Sequence, residues 1–182
     1  LRHGYDDGTV TSRIIASKSK VAPLTPVTIP RLELMGAVLG LGLTQSIVKV
    51  LELNLKGALF YSDSMDVLYW IRGKGRDFRS FVANRIGEVQ MYTDLTQWQH
   101  VSSGENPADL CTRGVTLSLL AENTFWLSGP EWVQKNKSEW KERNPAPKKA
   151  KRKASRSKLE QTKLLPRHIK YCLSSKSVYQ DG

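Results

Sequence analysis

A short apolar run that ends in polar residues, from Gly57 to Ser64 (GALFYSDS), is the clearest feature in the pattern of hydrophobic and polar positions. Such a run, bounded by turn formers, predicts a buried strand. Asp63 then lies at the carboxyl end of that strand, which is the edge where open α/β sheets bind their ligands. Asp is also a favoured N-cap, so a cap for a helix over Met65 to Ile71 is the alternative interpretation of Asp63.

The longest periodic segment predicts a helix from Ile29 to Leu51, with Thr28 as its N-cap and Pro30 in its first turn. Apolar residues recur on two ridges of this helix, which predicts burial on more than one side. A third stripe of small residues, narrow enough for a strand to approach closely, contains the acid Glu33. The alternative for Glu33 is a first-turn glutamate that interacts favourably with the helix dipole.

Weaker patterns predict the other elements. The turn formers that end at Gly8, followed by β-branched residues from Thr9 to Lys18, predict a turn and then a strand. Further along the chain we predict a helix over 79–93, a short strand over 98–101, a helix that opens near Pro107, and a packed tryptophan-containing extension over 125–140.

Composition allows one domain, because 182 residues of which 40% are apolar can form a core. The net charge of +11 is unevenly distributed: residues 148–182 carry 11 Lys and Arg against 2 Asp and Glu, whereas residues 1–147 carry 17 against 15. The basic character therefore belongs mostly to a tail. Cys111 and Cys172 have no metal or redox spacing and predict free thiols in a reducing compartment. No apolar run reaches the roughly 20 residues of a membrane span, so no membrane partner is predicted.

Three acids occupy positions that could meet at one sheet edge: Glu33 in the long helix, Asp63 at the strand tip and Asp109 in the late helix. Converging carboxylates repel one another, and a fold keeps them together with a compensating cation. Their hard oxygen atoms suit Mg²⁺ or Mn²⁺, and a site with two such ions is a common device for cutting phosphodiesters.

Several strings in this chain resemble the ribonuclease H domain of BEL/Pao-type LTR retrotransposon polyproteins, in the order expected for that family. They are TIPRLEL (28–34), YSDS (61–64), FVANRIGEVQ (81–90), WQHVSSGENPADLCTRG (98–114) and SGPEWV (128–133). The resemblance implies an α/β fold, a ribonuclease H-like mixed sheet with helices on both faces. It also implies metal-dependent hydrolysis of the RNA strand of RNA–DNA hybrids during reverse transcription, with two Mg²⁺ or Mn²⁺ ions.

Ribonucleases H use four acids, and the motifs carry three of them over to Glu33, Asp63 and Asp109 as catalytic and metal-binding residues. The fourth belongs to the first strand, and Leu1 and Arg2 resemble the end of the second strand. We therefore expect the first strand and its Asp to be missing from this chain, and the fragment to be inactive alone. His100 lies too early to match the loop histidine of some relatives and is expected to be a core or strand-edge residue.

The resemblance also implies contacts with the backbone of an RNA–DNA hybrid. Two basic segments are candidates for phosphate contact. The first is a polar turn with Arg72, Lys74, Arg76 and Arg79, for which a solvated loop is the alternative. The second is the basic run from Lys148 to Lys158, with Lys148, Lys149, Lys151, Arg152 and Lys153, for which a solvated linker is the alternative.

We thus predict three regions: a ribonuclease H-like domain over 1–118, a tryptophan-containing extension over 119–143 and a basic, disordered tail over 144–182. The expected partners are an RNA–DNA hybrid and the reverse transcriptase and integrase parts of the same polyprotein. The expected location is cytoplasmic and particle-associated, with nuclear entry because the tail resembles an import signal. The alternatives are a non-catalytic nucleic-acid-binding remnant and a connection domain.

Overall fold

The computed structural model describes residues 1–112, 115–137 and 140, and within them the chain is a mixed α/β structure with five α-helices and two small sheets. The residues of the predicted tail, 144–182, lie outside this described part. In chain order the helices and strands are β1 (Arg2–Gly4), β2 (Val10–Ser12), α1 (Ile29–Val50), β3 (Phe60–Ser62), α2 (Met65–Arg72), α3 (Ser80–Tyr92), β4 (Trp98–His100), α4 (Leu117–Glu122) and α5 (Thr124–Ser128).

The strands form two separate pairs in the described part of the chain, where the resemblance had implied one mixed sheet. β1 and β2 are antiparallel, with Arg2 opposite Ser12, and β3 and β4 are parallel, with Phe60 opposite Trp98. The two pairs together contain both strand orientations, but no ladder between described residues joins them.

The second strand is shorter than predicted and ends at Ser12 instead of Lys18. Beyond Ser12 the chain bonds to the C-terminal extension, since the N–H of Ile14 donates to the carbonyl oxygen of Leu127 at 2.8 Å. Between Ser12 and Ile14, the N–H of Arg13 still donates to the carbonyl oxygen of Leu1 at 2.8 Å, so the chain turns to the extension only after Arg13. The turn before β2 is as expected, with Gly8 at φ +81°.

The long helix agrees with its prediction to within one residue at its end, spanning 22 residues. Thr28 occupies the N-cap position, but its side chain makes no capping hydrogen bond. One apolar ridge is buried against α2 and α3 through Leu34 and Leu41. The other ridge is covered less completely, since it lines a cavity of about 370 Å³ together with the segment 20–23 and residues of α3.

The main core lies between α1, α2, α3 and the β3–β4 pair. At its centre the rings of Phe60 and Trp98 stack with their centroids 4.6 Å apart. The indole N–H of Trp98 donates to Thr93 at 2.9 Å, so this buried aromatic residue keeps its polar atom satisfied. The fully buried residues around the pair are Leu34, Val67, Leu68, Ile71, Ile86 and Val89.

The helix α1 is also apolar and long enough to cross a membrane, by length and composition, and it is the one such helix found in the described residues. Core helices of soluble proteins pass the same test, and α1 contributes Leu34, Ala37 and Leu41 to the core. The expectation of no membrane partner therefore stays a prediction.

Candidate functional site at the end of β3

The site begins with the turn from β3 into α2, formed by Ser62, Asp63 and Ser64. The main-chain N–H of Ser64 donates to the hydroxyl oxygen of Ser62 at 3.1 Å, and the Ser64 hydroxyl accepts the N–H of Val67 at 3.3 Å. Ser64 is thus the N-cap of α2, and the alternative interpretation of Asp63 as the cap is wrong. Because Ser64 performs this role, the carboxylate of Asp63 is not used to cap the helix.

Glu33 faces the same turn from the neighbouring helix. The hydroxyl of Ser64 donates to Oε2 of Glu33 at 2.6 Å, which joins α1 to the start of α2. Close approach is possible because the stripe that continues from Glu33 along α1 is small, with Ala37 and Thr44 buried. The first turn of α1 contains no acid, so the helix-dipole alternative for Glu33 is wrong.

This packing shifts the pKa of Glu33. Partial burial raises the pKa of Glu33, the hydrogen bond from Ser64 lowers it, and the negative charges of Asp63 and Asp66 raise it further, with a net upward shift. Desolvation and like charge both disfavour the ionised carboxylate. The structure therefore holds at least two acids close enough to repel one another.

The other predicted acids are held by different elements. Asp63 accepts a hydrogen bond from the hydroxyl of Ser103, 3.2 Å away in the turn Ser103–Glu105. Asp109 lies in the following 3-10 turn, Pro107–Thr112, where its N–H donates to the carbonyl oxygen of Asn106. Among the described residues, no group of three or more His, Cys, Asp and Glu side chains is close enough to hold a metal. The structure thus brings Glu33 and Asp63 together, without adding Asp109 to a three-residue cluster.

The carboxylates of Glu33 and Asp63 still fit a common kind of magnesium site. Mg²⁺ is usually bound through one or two protein carboxylates, with water and substrate phosphate oxygens as its other ligands. Glu33 and Asp63 supply hard oxygen atoms whose mutual repulsion a divalent cation would reduce. These two residues could hold such an ion.

The predicted nucleic-acid-binding residues divide into two groups. Arg72 ends α2 and donates from Nη2 to the carbonyl oxygen of Trp98 at 3.1 Å, so it has a structural contact. Lys74, Arg76 and Arg79 are exposed in the turn between α2 and α3. Gln90 braces that turn through bonds to the carbonyl oxygens of Ile71 and Gly73. The five basic residues predicted in the tail, Lys148, Lys149, Lys151, Arg152 and Lys153, lie outside the described residues.

Sequence reasoning missed the two serines that hold the acids, Ser64 and Ser103. For Ser64 a signal existed, because Ser is a preferred N-cap and it directly precedes the predicted helix. For Ser103 no local signal existed, since its partner Asp63 is 40 positions away. His100 lies in β4 opposite Ser62, in agreement with a strand histidine.

Part of this site lies in a segment that is similar to a known protein family. Residues 1–64 match the model of the Pao retrotransposon-like RNaseH-like domain, a segment that contains Glu33, Asp63 and Ser64. No curated protein and no solved structure matches the chain. The matched segment ends before Asp109 and before the basic turn. The segment that contains these acids is therefore similar to the Pao retrotransposon-like RNaseH-like domain, and the match supports a Pao-type ribonuclease H domain there.

Proposed function

We propose that this chain is part of a retroelement ribonuclease H that uses Mg²⁺ or Mn²⁺ to hydrolyse the RNA strand of RNA–DNA hybrids. The observation that carries the proposal is the contact between Ser64 and Glu33, which brings a carboxylate of α1 to the turn that presents Asp63. Those acids lie in the segment that matches the Pao-type ribonuclease H-like family. The proposal includes Asp109, in the turn Pro107–Thr112, as the third acid that the resemblance implies.

The roles of the protein residues follow from their positions. Glu33 and Asp63 would hold the cation, and each accepts a serine hydrogen bond, Glu33 from Ser64 and Asp63 from Ser103. The chemistry that a cation would supply there is activation of a water molecule and stabilisation of the leaving oxygen. Lys74, Arg76 and Arg79, exposed on a braced turn, would contact the phosphates of the hybrid.

The arrangement of the strands and acids bears on how the proposed activity can be detected. The two pairs of strands are not joined by a ladder among the described residues, and no third acid joins Glu33 and Asp63 in a cluster there. We therefore expect metal binding to be easier to detect than cleavage. The partners that follow are an RNA–DNA hybrid and the polymerase and integrase parts of the polyprotein, in a cytoplasmic particle.

The test measures Mn²⁺ binding by electron paramagnetic resonance and Mg²⁺-dependent cleavage of a labelled RNA–DNA hybrid. Asp63→Asn removes a proposed ligand, and Asp6→Asn is the matched control in the exposed turn after β1. We expect Asp63→Asn to weaken Mn²⁺ binding at least about tenfold and to abolish any cleavage, with Asp6→Asn unchanged. Equal Mn²⁺ binding and cleavage in the native protein and Asp63→Asn would contradict the proposal.

A second candidate function is non-catalytic nucleic-acid binding, which the exposed basic turn favours. It predicts salt-sensitive binding of the hybrid that is unaffected by Asp63→Asn, because phosphate contacts supply the affinity. Such binding without any Mn²⁺ affinity would favour this second function over the first.

A further inference from the structure

The hydroxyl of Ser64 makes two contacts that use different parts of the group. A serine hydroxyl has one proton to donate and two lone pairs to accept with. Here a lone pair accepts the N–H of Val67 at 3.3 Å, and the single proton is directed to Oε2 of Glu33 at 2.6 Å. The helix cap and the contact with Glu33 are therefore compatible, and both exist at once.

The rest of Ser64 is fixed as well. Its main-chain N–H donates to the Ser62 hydroxyl, and the residue is buried, with 7% of its surface exposed. Because both the main chain and the side chain of Ser64 make hydrogen bonds, its hydroxyl proton has one direction available, towards Glu33. The carboxylate of Glu33, at the end of a side chain with three rotatable bonds, would otherwise have several orientations.

We propose that Ser64 is a positioning residue, which holds one carboxylate oxygen of Glu33 so that the other oxygen is directed to a divalent cation shared with Asp63. The second oxygen of Glu33 accepts no hydrogen bond from the described residues, so it is available as a ligand. The repulsion from Asp63 and Asp66 would push Glu33 away from the site, and the Ser64 proton opposes that movement. This inference rests on the proposed function, because the cation is the one proposed there.

Ser103 makes a comparable contact with Asp63, but a weaker one. Its hydroxyl is 3.2 Å from Oδ2 of Asp63, and the residue is exposed. Water can replace an exposed donor of this kind, whereas little water reaches Ser64. The inference therefore assigns the positioning role to Ser64 and not to both serines.

The experiment tests the loss of the Ser64 hydroxyl donor separately from the loss of the helix cap. Ser64→Gly removes the hydroxyl but is tolerated as an N-cap, since Gly is one of the residues accepted at that position. Ser64→Thr keeps both the hydroxyl and the cap. Ser46→Ala is the matched control, because Ser46 is exposed on α1 and its hydroxyl donates to the carbonyl oxygen of Gly42, away from the site.

Two readouts are taken on each protein. The first is metal-free: the carboxyl carbon resonance of Glu33 in protein with ¹³C-labelled glutamate, assigned with Glu33→Gln. The second is the dissociation constant of Mn²⁺ by electron paramagnetic resonance. We expect Ser64→Gly to shift the Glu33 resonance and to weaken Mn²⁺ binding about tenfold or more, as for the loss of other groups that orient metal ligands. Ser64→Thr should restore both values to within about twofold in affinity, and Ser46→Ala should change neither.

The outcomes distinguish this inference from the proposed function. An unchanged Glu33 resonance in Ser64→Gly overturns the positioning role. So does an Mn²⁺ affinity equal to that of the native protein, and in that case the metal site itself stands. If no variant and not even the native protein binds Mn²⁺, a resonance that shifts in Ser64→Gly and recovers in Ser64→Thr supports the Ser64–Glu33 contact and contradicts the proposed metal site.

Discussion

The guanidinium of Arg2 donates from Nε to the carbonyl oxygen of Val133 at 2.9 Å, across 131 positions of the chain. A second bond runs from Nη2 to the carbonyl oxygen of Lys135 at 3.0 Å. Arg2 is 5% exposed in β1, so these bonds form in a nearly dry environment. They tie the start of the family-matched segment to the 3-10 turn Glu131–Gln134, and the tryptophan-containing extension is therefore packed against the first strand.

The loss of these bonds should destabilise the fold. Arg2→Met keeps the aliphatic length but removes both donors, and hydrogen bonds from a charged donor contribute about 1.5–3 kcal/mol each. We expect the free energy of unfolding to fall by about 3 kcal/mol, measured by urea denaturation. Lys18→Met, at an exposed position, is the control and should change it by less than about 0.5 kcal/mol. Equal stability in Arg2→Met and native protein would show that the extension is not held by this contact.

The raised pKa of Glu33 predicts a specific pH dependence. Partial burial and the charges of Asp63 and Asp66 make ionised Glu33 unfavourable in the folded protein. The native state therefore binds a proton more readily than the unfolded state, and the cost of ionised Glu33 is present above the folded pKa. As the pH falls through that raised pKa towards the ordinary value, the cost disappears and stability rises.

Glu33→Gln tests this sign, because its amide oxygen can still accept the Ser64 hydrogen bond. Without metal, we expect Glu33→Gln to be more stable than the native protein at pH about 7, with the difference shrinking as the pH approaches about 4. Urea denaturation with EDTA at both pH values measures the difference. Glu88→Gln, on the exposed face of α3, controls for the loss of one charge. A gain in stability for Glu33→Gln that grows at low pH would contradict the electrostatic account.

Gln97 is a second buried polar residue with a testable role. Its amide nitrogen donates to the carbonyl oxygens of Leu55 and Ala58, at 2.9 and 2.7 Å, in the segment that leads into β3. Gln97→Glu would place a carboxylate against acceptors. We expect a decrease in stability of at least about 2 kcal/mol at neutral pH, partly recovered when the new carboxyl is protonated. Gln90→Glu is the matched control, since Gln90 also bonds to two carbonyl oxygens but is exposed, and its effect should be smaller.

The basic turn gives a prediction for nucleic-acid binding. Replacement of Lys74, Arg76 and Arg79 by Gln should weaken hybrid binding and reduce the slope of log affinity against log salt by about 0.7–0.9 for each phosphate that the variant no longer neutralises. Arg72→Gln should instead lower stability by about 1–3 kcal/mol, because its guanidinium bonds to the carbonyl oxygen of Trp98. Fluorescence anisotropy at several salt concentrations and urea denaturation measure the two effects. An unchanged affinity in the triple variant would remove this turn from the interface.

The sequence alone determined the elements that depend on local pattern. The helical spacing of Leu34, Val38 and Leu41 predicted α1 to within one residue at its end, because a long repeat of this period has few alternatives to a helix. The apolar run before Asp63 likewise predicted β3, and the order of motifs predicted the family that residues 1–64 match. These features are short-range, so neighbouring residues carry the information.

Only the tertiary structure decided which groups meet. The pairing of Ser64 with Glu33, 31 positions apart, depends on how closely α1 packs against the start of α2, and no local pattern gives that distance. The bond of Ile14 to Leu127 likewise joins segments that are far apart in the sequence. The same holds for the bond of Arg72 to the carbonyl oxygen of Trp98, whereas its predicted phosphate contact stays a prediction. Contacts between distant segments depend on how the helices and strands pack in three dimensions. The spacing of residues along the sequence does not give that packing.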